Sequence, residues 1–439
     1  MSSGTRPADP PPSEPQRDAH AAIDAVWRIE SPRLIAGLTR ITRDLGAAED
    51  LAHDALVAAL EQWPGEGVPS NPGAWLMAAA KHRAIDLVRR RSLLERKHGE
   101  LGRDLEERQE NSVPDYVSAL DDDVGDDLLR LIFTSCHPVL STDAQLALTL
   151  RLIGGLTTPE IARAFLVPES SIAQRIVRAK RTLRDAHVPF EVPRGAELSG
   201  RLANVLQVIY LIFNEGYSAT AGDDWHRPAL CEDALRLGRV LAELAPQEPE
   251  VHGLVALMEL HSSRTRARVN ANGEPILLLE QNRAMWDHLL IHRGLAALAR
   301  AEDLSRAMSN FGTYTLQAAI AACHARALTA EATDWRRIAE LYGALAQVAP
   351  SPIVELNRAV AVGMADGPAA GLAILDEIAG DPTLKNYHLL PSVRGDLLHK
   401  LGRVDEARSE FARAATLTQN SRERDFLLSR ASGSSFKVD

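Results

Sequence analysis

Thr157 to Arg184 reads TTPEIARAFLVPESSIAQRIVRAKRTLR. Thr157 suits an N-cap, Pro159 the first turn, and Glu160 lies three residues on, at the spacing of a capping box. These signals predict a helix to about Phe165. Leu166, Val167 and Pro168 then interrupt it, and Pro168 with Glu169 suits the start of a second helix, where proline's missing N–H has no partner to lose. Residues of that helix advance by about 100° each, so Ile172, Ile176, Ala179 and Leu183 form one apolar stripe. Ser170, Ser171, Gln174, Arg178 and Arg181 fall on the far side, with Arg175 on the flank. Hydroxyl, amide and guanidinium groups gathered on one face are those that meet base edges and phosphates. An ordinary surface helix with a basic face has the same pattern, so this stretch points to nucleic acid as one partner among alternatives.

A second basic segment lies upstream. Asn71 to His98, NPGAWLMAAAKHRAIDLVRRRSLLERKH, holds Lys81, Arg83, Arg89, Arg90, Arg91, Arg96 and Lys97 against Asp86 and Glu95. Its first half, with Trp75, Leu76, Met77 and three alanines, is apolar nearly all round and predicts burial, whereas the second half becomes a charged face. Asp86 stands four residues before Arg90, the spacing of a helical ion pair, and reads as structural support. Trp75 fits a core role better than a base-stacking platform.

The order of LGAAEDLAHDALVAALEQWP (Leu45 to Pro64), NPGAWLMAAAKHRAIDLVRRR (Asn71 to Arg91) and the helix-turn-helix resembles the extracytoplasmic-function sigma factors of bacterial RNA polymerase. The first two stretches are similar to sigma region 2 and the third to region 4. The resemblance implies that the helix from Ala47 to Trp63 docks on core polymerase through Asp50, His53, Asp54, Glu61 and Gln62, unless these form a plain solvated face. It implies that the loop Pro64 to Pro72 and the following helix hold the displaced strand of the −10 element, with Lys81, His82, Arg83, Arg89 and Arg90 as the cationic track such a strand needs. It implies that Ser170, Ser171, Gln174, Arg175, Arg178 and Arg181 read the −35 element.

Between the two modules, Glu100 to Asp127 carries eleven acids against two bases, a local balance of −9, and predicts a linker rather than a core. In the resembled family such a linker threads a positively charged channel of the polymerase. The whole chain, 439 residues and 45% hydrophobic, is long enough for two or more domains. Its net charge of −10 and pI of about 5.8 would normally argue against nucleic acid, but the charge is segregated. Met1 to Gln16 reads as a disordered tail rather than a signal peptide, and the longest apolar run, Leu202 to Phe213, is short of the roughly 20 residues that span a bilayer. These features predict a cytoplasmic protein without a membrane partner. Cys136, Cys231 and Cys323 offer neither a disulfide framework nor a zinc spacing, so no metal or cofactor is expected. No glycine-rich phosphate loop, HExxH pair or nucleophile elbow appears, which argues against an enzyme.

Beyond a short linker, the remaining half is helical and repeats apolar or small residues four, three and five positions apart, as in tetratricopeptide repeats. Ala407, Phe411, Ala414 and Gln419 follow this spacing, with Gly395 at the small position of the preceding helix. Ile338, Tyr342, Leu345 and Pro350 repeat it, as do Ala234, Gly238, Leu241 and Pro246. Gly371, Leu375, Ile378 and Pro382 match with one residue missing, and Leu254 to Met308 fits least. FNEGYSAT (Phe213 to Thr220) and LLLEQNRAMWDHLLIHRG (Leu277 to Gly294) resemble the extension of a sigma subgroup with a tetratricopeptide-like C-terminal half. There Asn214, Glu215, Tyr217, Arg283, Trp286 and Asp287 suit either a ligand or protein groove or polar bridges between helices.

The expected fold is all-α. A tail (1–20), a region 2 domain (21–97), an acidic linker (98–126), a region 4 domain (127–187) and a second linker (188–197) precede a helical solenoid (198–435). The expected function is promoter recognition with core RNA polymerase and promoter DNA as partners, under control of the extension through a regulatory protein or ligand. The alternative is a helix-turn-helix repressor or a repeat scaffold acting without polymerase, which leaves the basic helix near Lys81 without a purpose.

Overall fold

Asp44 stands just past one helix and begins the next. In a computed structural model, which describes residues 14–100 and 124–432 apart from 166, 218–227, 271–275, 309 and 419–420, helix α1 (Glu14–Thr42) meets α2 (Leu45–Glu66) across a turn with Arg43 at φ 50°. The Asp44 carboxylate accepts from the Ala47 N–H at 3.1 Å, satisfying one of the donors that a helix start leaves open. Helix α2 runs past Pro64 and stops at Gly67, whose φ of 84° turns the chain and lets its N–H reach the Trp63 carbonyl at 2.8 Å. The left-handed glycine, rather than the proline, sets this boundary. Helix α3 (Pro72–Glu100) starts where Asn71 Oδ1 accepts from the Ala74 N–H. The acidic stretch 101–123 lies outside the described residues, as do the side chains of Arg91, Arg96 and Lys97. Helix α1 already begins at Glu14, inside the stretch expected to be a tail.

Four helices follow: α4 (Val124–Ser135), α5 (Thr142–Leu152), α6 (Thr158–Ala164) and α7 (Glu169–Asp185). Asp127, which the sequence groups with the acidic run, is buried in α4 and ion-paired to Arg40 of α1 at 2.9 Å and to Arg130 at 2.6 Å. Cys136 is a core thiol, 3.3 Å from Thr149 Oγ1, and burial pushes its pKa up to about 11. Helix α8 (Ala196–Tyr217) caps the end of α4: Arg201 donates to the Phe133 carbonyl at 2.9 Å and Asn204 to that of Cys136. The chain divides into two units inside α8, between Val205 and Leu206, past the linker that composition suggests.

The second unit stacks helical hairpins in chain order. It contains α9 (Pro228–Leu244), α10 (Pro249–Ser262), α11 (His288–Met308), α12 (Thr313–Arg326), α13 (Trp335–Val348), α14 (Pro352–Ala365), α15 (Pro368–Ile378), α16 (Leu389–Lys400), α17 (Val404–Leu417) and α18 (Ser421–Ser432). Ala234, Gly238, Leu241, Ile338, Leu345, Ala407, Phe411 and Ala414 of the repeated pattern are all buried, whereas Gln419 lies outside the described residues. Helix α10 explains why Leu254 to Met308 departs from the pattern. It packs against α9, α11 and α12 and is apolar almost all round. Its Glu250 also caps α12 from outside, accepting from the Tyr314 N–H at 2.8 Å and the Thr315 N–H at 3.0 Å, since Gly312 at the cap has no side chain.

Backbones touch at Gly371 of α15. A Cβ there would stand 2.5 Å from the Ala359 carbonyl oxygen and 2.9 Å from the Gly363 Cα, both backbone atoms of α14. Gly371→Ala is expected to destabilise the extension by about 1–3 kcal/mol, because α14 and α15 must separate. Gly343→Ala, at a position in α13 where an added Cβ meets nothing within 4 Å, is expected to stabilise it by roughly 0.5–1 kcal/mol. Opposite shifts of the extension's unfolding transition in denaturant or heat check both; shifts of one sign refute the packing argument.

Candidate nucleic-acid interface

Helix α7 has the two faces that its spacing predicts. Ile172, Ile176, Ala179 and Leu183 are buried against the rest of the first unit. Before it, the capping box forms at α6, with the Thr157 N–H and hydroxyl on Glu160 Oε2 at 2.7 and 2.8 Å. Ser170, Gln174, Arg178 and Arg181 are exposed, and Ser171 and Arg175 are half-buried. Arg181 pairs with Asp185 at 3.3 Å one turn on, and Arg175 with Asp143 of α5 at 3.2 Å. Arg175 is thus partly committed to holding α7 on α5. Among the described residues, Gln174 and Arg178 have no ion-pair partner, and both are exposed.

On α3, His82, Arg83, Arg89 and Arg90 are exposed and Lys81 is half-buried. Asp86 forms no ion pair with Arg90, so the expected support within the helix is absent. Arg83 instead reaches Asp54 of α2 at 3.0 Å, both side chains more than half exposed. Trp75 is half-buried and meets the buried Trp63 edge to face at a centroid distance of 5.3 Å, in the packing role expected of it. On α2, Asp50, His53, Asp54, Glu61 and Gln62 are all exposed. Val57 shares that helix surface and is 51% exposed, an apolar group among acids that charge-based reading passes over. His53 is also 5.8 Å from the Trp27 ring.

Behind these faces lies an acid that the sequence does not announce. Glu49 of α2 is 5% exposed and is ion-paired with Arg151 of α5 at 2.8 Å and with Lys180 of α7. Burial pushes its pKa up, but Lys180 and Arg151 together outweigh burial and hold it below the usual glutamate range. One carboxylate therefore joins α2 to two helices of the downstream module, α5 and α7. No spacing rule could pair it with partners so distant in sequence.

A helical unit with an acidic exposed surface on α2, a cationic one on α3 and a helix-turn-helix recognition surface on α7 is of the kind that reads a promoter in two places. Comparison with known proteins agrees: residues 27–93 match sigma-70 region 2, residues 130–183 match sigma-70 region 4, and residues 201–302 match a family of unknown function. The chain is 43% identical over 406 residues, covering 92% of its own length and 94% of the relative's, to a protein of Rhizobium meliloti (strain 1021) described as uncharacterized. No solved structure matches it at a significant level. The chain belongs to the extracytoplasmic-function-like sigma factors that carry a C-terminal helical extension. Its role is promoter recognition in transcription initiation, and its partners are core RNA polymerase and promoter DNA. The match to both sigma regions sets aside the repressor and scaffold alternatives. Among the described residues, no helix is long and apolar enough to cross a membrane.

Glu49→Ala leaves Arg151 and Lys180 without their shared counter-charge and is expected to destabilise the first unit by about 3 kcal/mol. Glu49 has a lower pKa folded than unfolded, so its contribution is complete above the ordinary glutamate value of about 4.3 and is lost as pH falls through the folded value. The difference in unfolding midpoint between wild type and Glu49→Ala should therefore shrink on acidification below about pH 4.3. A difference that stays constant to pH 3 would remove the ion-pair explanation.

Proposed function

We propose that this sigma factor reads −35 DNA with Ser170, Ser171, Gln174, Arg175, Arg178 and Arg181, and holds the melted −10 strand with Lys81, His82, Arg83, Arg89 and Arg90. In the same reading, the α2 surface of Asp50, His53, Asp54, Glu61 and Gln62 docks on core polymerase, with Val57 adding an apolar contact at its centre. The extension controls this activity in cis. The proposed division is region 2 over 21–97 and region 4 over 127–187, joined by the acidic linker.

The exposure of Gln174 and Arg178, above a fully buried apolar stripe on the same helix, carries the DNA-reading part. An amide and a guanidinium about one turn apart suit base edges and phosphates in a major groove. Control by the extension is supported by α8. Its Arg201 and Asn204 bind the carbonyls that end α4, and the same unbroken helix continues to Phe213 and Tyr217 in the second unit. A helix shared by both units gives a signal a physical route from one to the other.

Run-off transcription with purified core polymerase on genomic fragments tests both parts. The full chain is expected to give defined start sites, and Arg178→Ala to lower −35-dependent transcription about tenfold, the effect of losing one good base or phosphate contact. No core binding, or no defined start sites, would overturn the DNA-reading roles. The double variant Arg201→Ala, Asn204→Ala is expected to change transcript yield several-fold while core binding stays unchanged. Yield equal to wild type would sink control through α8.

A further inference from the structure

Among the described residues, one cluster in the extension brings three arginines together without an ion-paired carboxylate. Arg264 and Arg268 follow α10, and Arg283 precedes α11. Arg264 and Arg283 lie 5.8 and 4.8 Å from the Trp286 ring, and Arg268 lies 3.6 Å from the Tyr217 ring. Neutral groups hold all three. Arg264 donates to the Tyr217 hydroxyl at 2.7 Å and meets His261 Nδ1 at 2.9 Å, and Arg268 donates to the Tyr217 carbonyl. Arg283 donates to the carbonyls of His324 and Ala327, both at 2.6 Å, and to Thr333 Oγ1 at 3.1 Å. Among the described residues none of the three forms an ion pair; the exposed Glu331 acts on Arg283 only at longer range. Other arginines of the same unit are ion-paired, as Arg239 is with Glu259 at 2.9 Å and Arg358 with Glu355 at 2.7 Å, while Arg300 is held, like these three, by neutral groups, the Pro246 carbonyl and Gln247.

A cavity of about 190 Å³, more than one water needs, is lined by Arg264, His261, His324 and Trp286 together with apolar side chains such as Leu257 and Ile320. Two of these lining residues carry a buried polar atom without a hydrogen-bond partner, Trp286 Nε1 and His324 Nδ1, and Arg283 Nε beside them is also unpartnered. Trp286 is only 4% exposed. Burial, and after it the neighbouring arginines, lower the pKa of His324 to about 4 and hold His261 well below the ordinary value. Both rings are therefore neutral at pH 7 and add no charge of their own. Native interiors seldom leave such donors and cations uncompensated without a role.

We propose that this cavity binds a small organic oxyanion, a carboxylate or phosphate carried on a flat apolar body. Guanidinium groups recognise both oxyanions in the same fork geometry, and the Trp286 indole N–H adds a neutral donor. Leu257, Leu260, Ile320 and Ala321 supply the wall for the apolar body. A cation would meet the arginine field, and a neutral guest would leave it unbalanced. Such a ligand is the signal by which the extension acts on transcription; that consequence rests on the control proposed above, whereas binding itself does not.

Binding is measured on the full chain without polymerase, so its failure is distinct from failure of the control reading. Benzoate, phenyl phosphate and inorganic phosphate are the anionic probes, and benzamide is the neutral isostere of benzoate. Benzoate or phenyl phosphate at saturation is expected to raise the Tm of the extension by about 3 °C and to change tryptophan fluorescence, with benzamide inert. The larger response of the two tells carboxylate from phosphate, and a response to inorganic phosphate alone would discard the apolar body. Arg264→Gln is expected to weaken binding at least tenfold while leaving the ligand-free Tm unchanged or higher, because it removes an unbalanced charge; a purely structural arginine would lower it. Trp286→Phe, which keeps the ring and loses the N–H, provides a second weakened variant should Arg264→Gln fail to fold. Arg178→Gln, on the DNA-reading helix, should bind as wild type does. No response to any anion, a response kept by both cavity variants, or a response lost in Arg178→Gln overturns the proposal.

Discussion

The first unit depends on a carboxylate held between two cations from other helices. Glu49 can be buried only while Arg151 and Lys180 are both in place, so α2, α5 and α7 are fixed against one another by a constraint that hydrophobic packing alone would leave looser. Buried ion pairs contribute little net stability relative to a well-packed apolar alternative, but breaking one is costly; their effect is to exclude other arrangements. Arg40 with Asp127 repeats the device between α1 and α4. With their inner surfaces locked in this way, α2 and α7 present outward groups whose relative placement is defined.

The extension is held by a different means. Its hairpins approach through glycine, as at Gly371 against the backbone of α14 and at Gly395, where a Cβ would stand 2.9 Å from the Phe411 ring. Close approach needs regular helices, and among the described residues between α10 and α11 the chain makes two short 3-10 turns, Thr265–Ala267 and Arg283–Met285. Backbone carbonyls that no helix ladder uses are available nearby, at Tyr217, His324 and Ala327, and arginines take them up. The unbalanced charge therefore gathers where the repeat breaks down.

Local features of this architecture were legible in the sequence, and distant ones were not. The Thr157 to Glu160 capping box and the stripe of Ile172, Ile176, Ala179 and Leu183 were readable because each involves residues within a few turns of one helix. Periodicity also picked out the buried positions of α9, α13 and α17. Glu49 was invisible because Arg151 and Lys180 enter from other helices, and an acid on an amphipathic helix looks the same whether its partner is protein or water. Asp127 counts with the acidic run on charge alone, although Arg40 draws it into a core. The end of the second linker misled for a related reason: its prolines stop near Ala196, but Arg201 and Asn204 still serve α4, 68 residues earlier in each case. Within the extension, Tyr217 and Arg283 stand beside Trp286 through Arg264 and a direct ring contact, but of the three only Trp286 lines the cavity. Asp287, chosen with them, instead caps α11 by accepting from the N–H groups of Leu289 and Leu290.

The ion pairs of the first unit fall into two groups with different consequences for binding. Arg83 with Asp54 and Arg181 with Asp185 are more than half exposed, and pairs of that kind contribute about 0–1 kcal/mol. A phosphate can replace such an acid at almost no cost, and the displaced carboxylate of Asp54 then becomes available on the same α2 surface that faces outward with Asp50 and Glu61. Glu49 cannot be exchanged this way, because its release would strand charge in the interior. A net charge of −10 is therefore compatible with binding DNA: exposed ion pairs of this kind can exchange their acid for a phosphate at little cost, while the buried acids hold the scaffold.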